Sequence, residues 1–123
     1  MNPAPFEATA NQLDDGVRTI VVRGELDLST APDLEGPLEE AIAAKDASVL
    51  VDLTDCEFID STGIALIVRA WQRLDAGADG EGSGRVVICS ANEQVRRVLE
   101  VTGLELSIKI YETREEALSS LRG

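Results

Sequence analysis

The segment SVLVDLTDCEFIDSTGIALIV, residues 48–68, combines a continuous apolar run with a stretch of apolar residues at helical spacing. Its start, residues 48–53, is almost entirely apolar, which is typical of a strand covered on both faces within a parallel sheet. Residues 54–59 are predicted to be a connection to a helix that follows residues 60–63. Apolar residues at helical spacing form one face of this helix: Ile64, Ile67, Val68, Trp71 and Leu74. The segment therefore predicts a central strand, a connection and an amphipathic helix with Trp71 in the core.

The residues before this segment predict a β-hairpin and a first helix. Residues 6–13 alternate weakly and residues 17–24 are rich in β-branched side chains, with turn residues between them. The helix that follows has a hydroxyl cap, an early proline, an apolar stripe and a final lysine: Ser29 or Thr30, Pro32, Leu34, Leu38, Ile42 and Lys45. The chain therefore opens with two strands and an amphipathic helix.

The residues after this segment predict two further strand and helix pairs. Residues 77–84, GADGEGSG, are a flexible loop and not a phosphate cradle, because a P-loop needs Lys and Ser or Thr where Arg85 leads into a strand. A helix is predicted to start at Asn92 and to stop at Gly103. A last strand is predicted at 108–111. The spacing of Thr113 and Glu116 is that of a capping box, which opens the final helix.

The predicted elements follow the order ββαβαβαβα, which assigns the chain to the α/β class. Strands that alternate with helices after an N-terminal hairpin predict a mostly parallel central sheet. The length of 123 residues fits one domain. We therefore expect a single domain over residues 1–123, with its core at about 6–121 and the flexible loop at 77–84.

Composition excludes several classes of function. The chain has 11 Lys and Arg against 23 Asp and Glu, a formal net charge of −12. Such a surface repels phosphate backbones and anionic bilayers, and no apolar run approaches the ~18 residues that span a membrane. The sequence contains no histidine, so His-based triads and His metal sites are absent. We expect neither a nucleic-acid partner nor membrane insertion, and neither a metal nor a cofactor.

The cysteines indicate the compartment. Cys56 and Cys89 form no CxxC pair and have no metal-site spacing. The start of the chain, residues 1–5, has neither the basic region nor the apolar stretch of a signal peptide. Two buried, reduced thiols in a cytoplasmic protein are therefore predicted.

The most informative polar cluster is Asp60, Ser61, Thr62 and Gly63, at the start of the predicted second helix. Free backbone N–H groups and the positive end of the helix dipole favour an oxyanion there, so the site suits a phosphoserine. The alternative is that Ser61 or Thr62 only caps the helix. Ile59 replaces the first glycine of a GxSxG nucleophile elbow, and Ser61 interrupts the DTG of aspartic proteases, so no catalytic residue is predicted.

Three segments together resemble a known family. They are GELD at 24–27, VLVDL at 49–53 and FIDSTG at 58–63. In this order and separation, with a proline-started helix after the first, the chain resembles a STAS domain of the anti-sigma factor antagonist type over about residues 6–121. The resemblance favours a regulatory serine at Ser61 over a simple helix cap.

This resemblance implies a partner-switching role for a protein that is not an enzyme. The unmodified antagonist would bind an anti-sigma factor, itself a serine kinase, and so free the sigma factor. Phosphorylation of Ser61 would end the complex, and a serine phosphatase would reset it. Thr62 stands where many relatives have serine and is the second candidate phosphosite. Asp60, Ser61, Thr62 and Gly63 would contact the partner.

Asp27 is a further candidate partner-binding residue. It follows the predicted second strand, so its carboxylate should lie at the same rim of the sheet as Ser61. The alternative is an Asx turn that leads into the first helix.

Two other classes of function stay open at this stage. STAS domains also regulate membrane transporters as subunits, which is the main alternative. An enzyme or a nucleotide-binding module is the third, although no base accompanies Ser61 and no phosphate loop is present.

Overall fold

In a computed structural model, described for residues 5–13, 15–43, 48–76 and 85–122, five strands and four α-helices follow one another in the predicted order. The elements are β1 (Glu7–Gln12), β2 (Arg18–Leu26), α1 (Ala31–Ile42), β3 (Ser48–Ile59), α2 (Ser61–Ala76), β4 (Arg85–Cys89), α3 (Glu93–Val101), a 3-10 turn (Leu104–Leu106), β5 (Ile110–Tyr111) and α4 (Arg114–Arg122). The α/β class and the order ββαβαβαβα are confirmed.

The strands form one mixed sheet whose spatial order is β1-β2-β3-β4-β5. β1 and β2 are antiparallel, and every later pair is parallel. The register places Val51 of β3 between Ile20 of β2 and Ile88 of β4. The predicted parallel sheet with an N-terminal hairpin is thus confirmed, and β3 is its central strand.

The helices cover the two faces of the sheet unequally. Helices α1, α2 and α3 contribute Leu34, Ile67 and Leu99 to the main core on one face. On the other face α4 packs its buried Ala117 on a small cluster that includes Val87. Apolar periodicity explains this division, because the apolar stripe of each helix has a matching apolar face of the sheet. No helix in the described part of the chain is both long and apolar enough to span a bilayer.

The prediction that residues 54–59 form a connection is wrong, because β3 continues through them to Ile59. The second half of β3 pairs with the end of β2, where Gly24 lies opposite Cys56 and Leu26 opposite Ile59. Cys56 and Ile59 are buried in the main core. β2 likewise extends to Leu26, past the predicted end at residue 24.

The other boundaries differ less. Gly103, with φ of +78°, ends α3 as predicted, since few other residues adopt this conformation. The predicted strand at 108–111 is reduced to Ile110–Tyr111. The strand starts later than predicted because a 3-10 turn precedes it, and the backbone N–H of Ile108 donates to the carbonyl of Leu104 in that turn at 2.9 Å. The predicted helix end at Lys45 and the 77–84 loop lie outside the described residues.

Candidate functional site

The second helix begins directly after the central strand, with only Asp60 between Ile59 and Ser61. One carboxylate oxygen of Asp60, Oδ1, accepts hydrogen bonds from the backbone N–H of Thr62 at 2.9 Å and of Gly63 at 3.3 Å. The Asp60 carbonyl also accepts the first helical bond, from Ile64 at 3.1 Å. Asp60 is therefore the N-cap of α2, and the alternative role of Ser61 or Thr62 as the cap is wrong.

Ser61 is the first residue of α2 and is exposed, whereas Thr62 is partly buried. Within the described ranges, the Ser61 hydroxyl makes no hydrogen bond to another group of the protein. This hydroxyl is thus accessible to a modifying enzyme and is not held by a neighbouring general base.

Gly63 brings the first turn of α2 into close contact with the end of β2. A Cβ atom at this position would lie 2.6 Å from Cγ and 2.7 Å from Cδ2 of Leu26, and 3.3 Å from Cγ1 of Ile59. Both neighbours are buried. Gly63 is itself buried, so it acts in the packing that positions Ser61, and a direct contact of Gly63 with a partner remains a prediction.

The Asp27 turn follows β2 and lies beside the start of α2. The backbone N–H of Asp60 donates to the carbonyl of Leu26 at 3.1 Å, which ties the ends of β2 and β3 together. Asp27 Oδ1 accepts bonds from the N–H of Ser29 at 3.0 Å, its hydroxyl at 2.8 Å and the N–H of Thr30 at 3.1 Å. These bonds, led by that of the Ser29 hydroxyl, lower the pKa of Asp27. Asp27 therefore forms the Asx turn considered as the alternative, at the rim predicted for it.

The prediction that Ser29 or Thr30 caps α1 is confirmed in position, since Thr30 occupies the N-cap. The Thr30 side chain, however, makes no capping bond into that helix. Its hydroxyl donates instead to the carbonyl of Glu25 at 2.7 Å and accepts from the N–H of Asp27 at 2.9 Å. Thr30 thus closes the Asp27 turn back onto β2.

Two exposed apolar side chains lie close in sequence to the acidic residues of this rim. Leu28, beside Asp27, is 74% exposed, and Phe58, two residues before Asp60, is 46% exposed. The sequence pattern assigned neither residue a binding role, although Phe58 opens the FIDSTG motif and Leu28 directly follows GELD. We call Asp27, Leu28, Phe58, Asp60 and Ser61 the Ser61 surface. It combines an accessible hydroxyl, two carboxylates and apolar area, a composition suited to protein recognition.

A second polar cluster lies on the opposite face of the sheet, around the buried Asp52. Its carboxylate accepts bonds from the Thr54 N–H at 2.9 Å and hydroxyl at 2.6 Å, and from the Arg114 guanidinium at 2.9 Å. Burial, the largest influence, would raise the pKa of Asp52, but the bonds from Thr54, Arg114 and Cys89 outweigh it and lower the pKa. Arg114 is the first residue of α4, so this cluster anchors that helix to the sheet.

Cys89 belongs to the same cluster, with its thiol 3.2 Å from Asp52 Oδ1. Burial, followed by the adjacent carboxylate, raises the pKa of Cys89 to about 12. Burial also raises the pKa of Cys56. Both free thiols are buried, so neither is set up as a nucleophile. Across the ranges that the structure covers, no group of three or more His, Cys, Asp or Glu side chains is placed to hold a metal ion.

Comparison with known proteins gives a consistent picture. The family model described as STAS domain matches residues 9–117. The chain is 26% identical over 121 residues to the anti-sigma-F factor antagonist RsfB of Mycobacterium tuberculosis, covering 98% of this chain and 94% of that protein. It is 30% identical over 97 residues to an anti-sigma-B factor antagonist of Listeria monocytogenes, covering 79% and 81%. The crystal structure of an anti-sigma factor antagonist from Mycobacterium paratuberculosis superimposes with a TM-score of 0.85 at 27% identity, over 97% of this chain and 96% of that one.

Proposed function

The chain belongs to the STAS-domain family, and we propose that it is an anti-sigma factor antagonist controlled by phosphorylation of Ser61. The unmodified protein binds an anti-sigma factor, itself a serine kinase, and so releases the sigma factor in the cytoplasm. The kinase phosphorylates Ser61 and the complex dissociates. A serine phosphatase restores the active form. The chain itself has no catalytic role in this cycle.

The observation that carries the proposal is the exposed Ser61 hydroxyl at the start of α2, next to a carboxylate that already caps the helix. Several relatives are themselves named anti-sigma factor antagonists, which supports the choice of partner. Exposure favours Ser61 over the partly buried Thr62 as the phosphosite. Thr62 also lies in the capped turn, where its N–H bonds to Asp60.

The position of the cap explains why a phosphate on Ser61 would act on the partner. Asp60 already occupies the N–H groups of Thr62 and Gly63, so a phosphate gains little from these donors of the helix N-terminus. The added −1.5 to −2 charges therefore remain at the surface. Each unit of this charge would repel a partner carboxylate at ~5 Å by about 3 kcal/mol at an effective dielectric of ~20. That corresponds to roughly a hundredfold loss of affinity, with no change of fold.

The remaining residues of the Ser61 surface have distinct roles in this proposal. Asp27 and Asp60 present carboxylates to basic groups of the anti-sigma factor, whose own carboxylate lies opposite the Ser61 hydroxyl. Leu28 and Phe58 supply apolar contact area. An acidic, partly apolar surface on a chain of net charge −12 favours a partner with complementary basic groups. Thr62 and Gly63 fix the turn that presents Ser61.

The test is affinity capture with the wild-type chain and with Ser61→Asp as matched baits, with Ser61→Ala as the control for loss of the hydroxyl alone. We expect the wild type and Ser61→Ala to retain a small ATP-dependent kinase that Ser61→Asp does not retain. Incubation of that kinase with ATP should add one phosphate to the wild type and none to Ser61→Ala. Identical proteins on all three baits would refute the switch. Retention of a membrane ATPase instead would support regulation of a transporter.

A further inference from the structure

A groove of about 240 Å³ lies between α2 and the segment that follows α3. Its lining includes Ile64, Val68 and Trp71 from α2, and Thr102, Leu104 and Ser107 from the other side. No charged side chain is among the described residues that line it. We call this cavity the α2 groove.

The two most exposed large apolar side chains in the described ranges adjoin the second wall of the α2 groove along the chain, but do not line the groove. Val101 is 81% exposed and Leu106 is 88% exposed. They lie on either side of Gly103 and Leu104, which line the groove. Large apolar side chains that are this exposed, next to a groove without charged residues, are typical of a surface that binds another protein.

The α2 groove continues the surface on which Ser61 lies. Residues Ser61, Ile64 and Val68 are spaced by three and four along α2, so they lie on the same side of the helix. At 1.5 Å per residue, Val68 is only about 10 Å from Ser61 along the axis. A standard interface buries about 800 Å² on each partner, a patch roughly 30 Å across. A partner of that size centred on Ser61 therefore extends over the groove.

The net charge of the chain favours the anti-sigma factor over a second copy of this chain as the occupant of the α2 groove. A second copy of this chain would bring another net charge of −12 to the surface, which opposes self-association. An anti-sigma factor with basic groups for the acidic Ser61 surface is instead attracted to the same side of α2. The groove volume exceeds the ~150 Å³ of an apolar cavity that accepts benzene, so it has room for one large side chain.

We propose that the α2 groove is a second contact site for the anti-sigma factor, which inserts one aliphatic or aromatic side chain beside Trp71. This inference rests on the proposed function, since it requires that the partner binds at Ser61. It divides recognition into two parts. The Ser61 surface reports the state of phosphorylation, and the α2 groove supplies affinity that does not depend on charge.

Trp71 is the only tryptophan of the chain, which allows a direct test. The protein labelled with 5-fluorotryptophan gives one ¹⁹F resonance, from the wall of the groove. Titration with the purified kinase that Ser61→Asp fails to retain should shift or broaden this resonance in the wild type and leave it unchanged in Ser61→Asp. Binding detected by calorimetry with an unmoved ¹⁹F resonance would overturn the inference.

A pair of substitutions tests the affinity of the groove separately. Val101→Asn combined with Leu106→Asn changes exposed side chains, so the melting temperature should stay the same while the kinase binds about tenfold more weakly, through faster dissociation. Arg69→Gln is the control, because Arg69 is exposed on the side of α2 that faces α1. It should bind as the wild type does.

The outcomes separate this inference from the proposed function. If Ser61→Asp binds the kinase as tightly as the wild type, the proposed function fails. If Ser61→Asp loses binding but the ¹⁹F resonance of the wild type does not move and the asparagine pair retains full affinity, only the groove inference fails. A ¹⁹F shift that follows the concentration of the antagonist alone, with a dimer in sedimentation, would assign the groove to a second copy and also overturn the inference.

Discussion

Gly63→Ala tests whether the close contact between α2 and β2 holds the Ser61 turn in place. The added methyl group would lie 2.6 Å from Cγ of Leu26, well inside van der Waals contact. Cγ is the branch point of a fully buried side chain, so it cannot move aside without shifting its neighbours. Overpacking of this kind costs about 1–3 kcal/mol. Alanine recovers up to about 1 kcal/mol through its helix propensity, so we expect a net destabilisation of about 1–2 kcal/mol.

Gly36→Ala is the matched control. Gly36 lies within α1, and apart from its chain neighbours a Cβ atom there would meet no atom within 4 Å. Alanine gains about 0.5–1 kcal/mol of helix propensity, but Pro37 follows directly and disfavours helical backbone at a residue that carries a Cβ, so this variant should be about as stable as the wild type. The two glycine variants should thus differ by about 1–2 kcal/mol in urea unfolding. For a chain of this length the difference corresponds to roughly 4–8 °C in melting temperature.

A double-mutant cycle identifies the contact that causes the effect. Leu26→Ala alone removes a buried side chain and should cost about 2–5 kcal/mol. In the Gly63→Ala background it also removes the clash, so the two changes should be less than additive by about 1 kcal/mol or more. Equal stability of the two glycine variants, or strict additivity with Leu26→Ala, would refute the reasoning.

Three further predictions concern the charged and thiol groups. Arg114→Gln should cost about 1–3 kcal/mol at pH 7, because it leaves the buried Asp52 carboxylate without its cation. The folded-state pKa of Asp52 lies below its unfolded value of 3.8, so its contribution to stability is complete above the unfolded pKa and is lost as the pH falls through the folded pKa. Loss of the Arg114 cation moves the folded pKa of Asp52 upward, so in Arg114→Gln this acid-dependent loss of stability should be smaller and should be complete at higher pH, as urea titrations at several pH values will show. Cys56 and Cys89 should not react with a thiol reagent at pH 8 unless denaturant is added, and rapid labelling of the native protein would contradict their burial. Asp27→Asn should keep its melting temperature, because the amide oxygen can accept the same turn bonds, but should bind the kinase more weakly; normal affinity in calorimetry would rule out a docking role.

Much of the fold could be predicted from apolar periodicity. The order of the elements, the parallel sheet and the stop at Gly103 each follow from a local pattern with one dominant physical cause. The second half of β3 could not be predicted in this way. Thr54, Asp55 and Glu57 resemble a connection when read locally. The strand continues through them because their neighbours Cys56 and Phe58, like Asp55 itself, pair with β2 across two register shifts.

The candidate site shows the same limit. The sequence placed Ser61 at the start of a helix, and the structure puts it there with its side chain exposed. Which residue caps α2 depends on where the helix starts. Because α2 starts at residue 61 and not at residue 62 or later, the N-cap is Asp60 and not a hydroxyl residue. The Asp52 and Arg114 pair joins residues 62 positions apart, which no local pattern reports.

The strands lie in the sheet in the same order as in the sequence, which affects how the protein can fold during synthesis. During synthesis each new strand can pair with the strand that left the ribosome just before it, so no strand has to wait for a distant partner. One face of the sheet, however, is completed only by the last helix, α4. Leu50 and Val87 of that face are synthesised well before Ala117, so the nascent sheet carries an uncovered apolar surface until the last helix emerges. We therefore expect nascent chains stalled just before α4 to expose this apolar face.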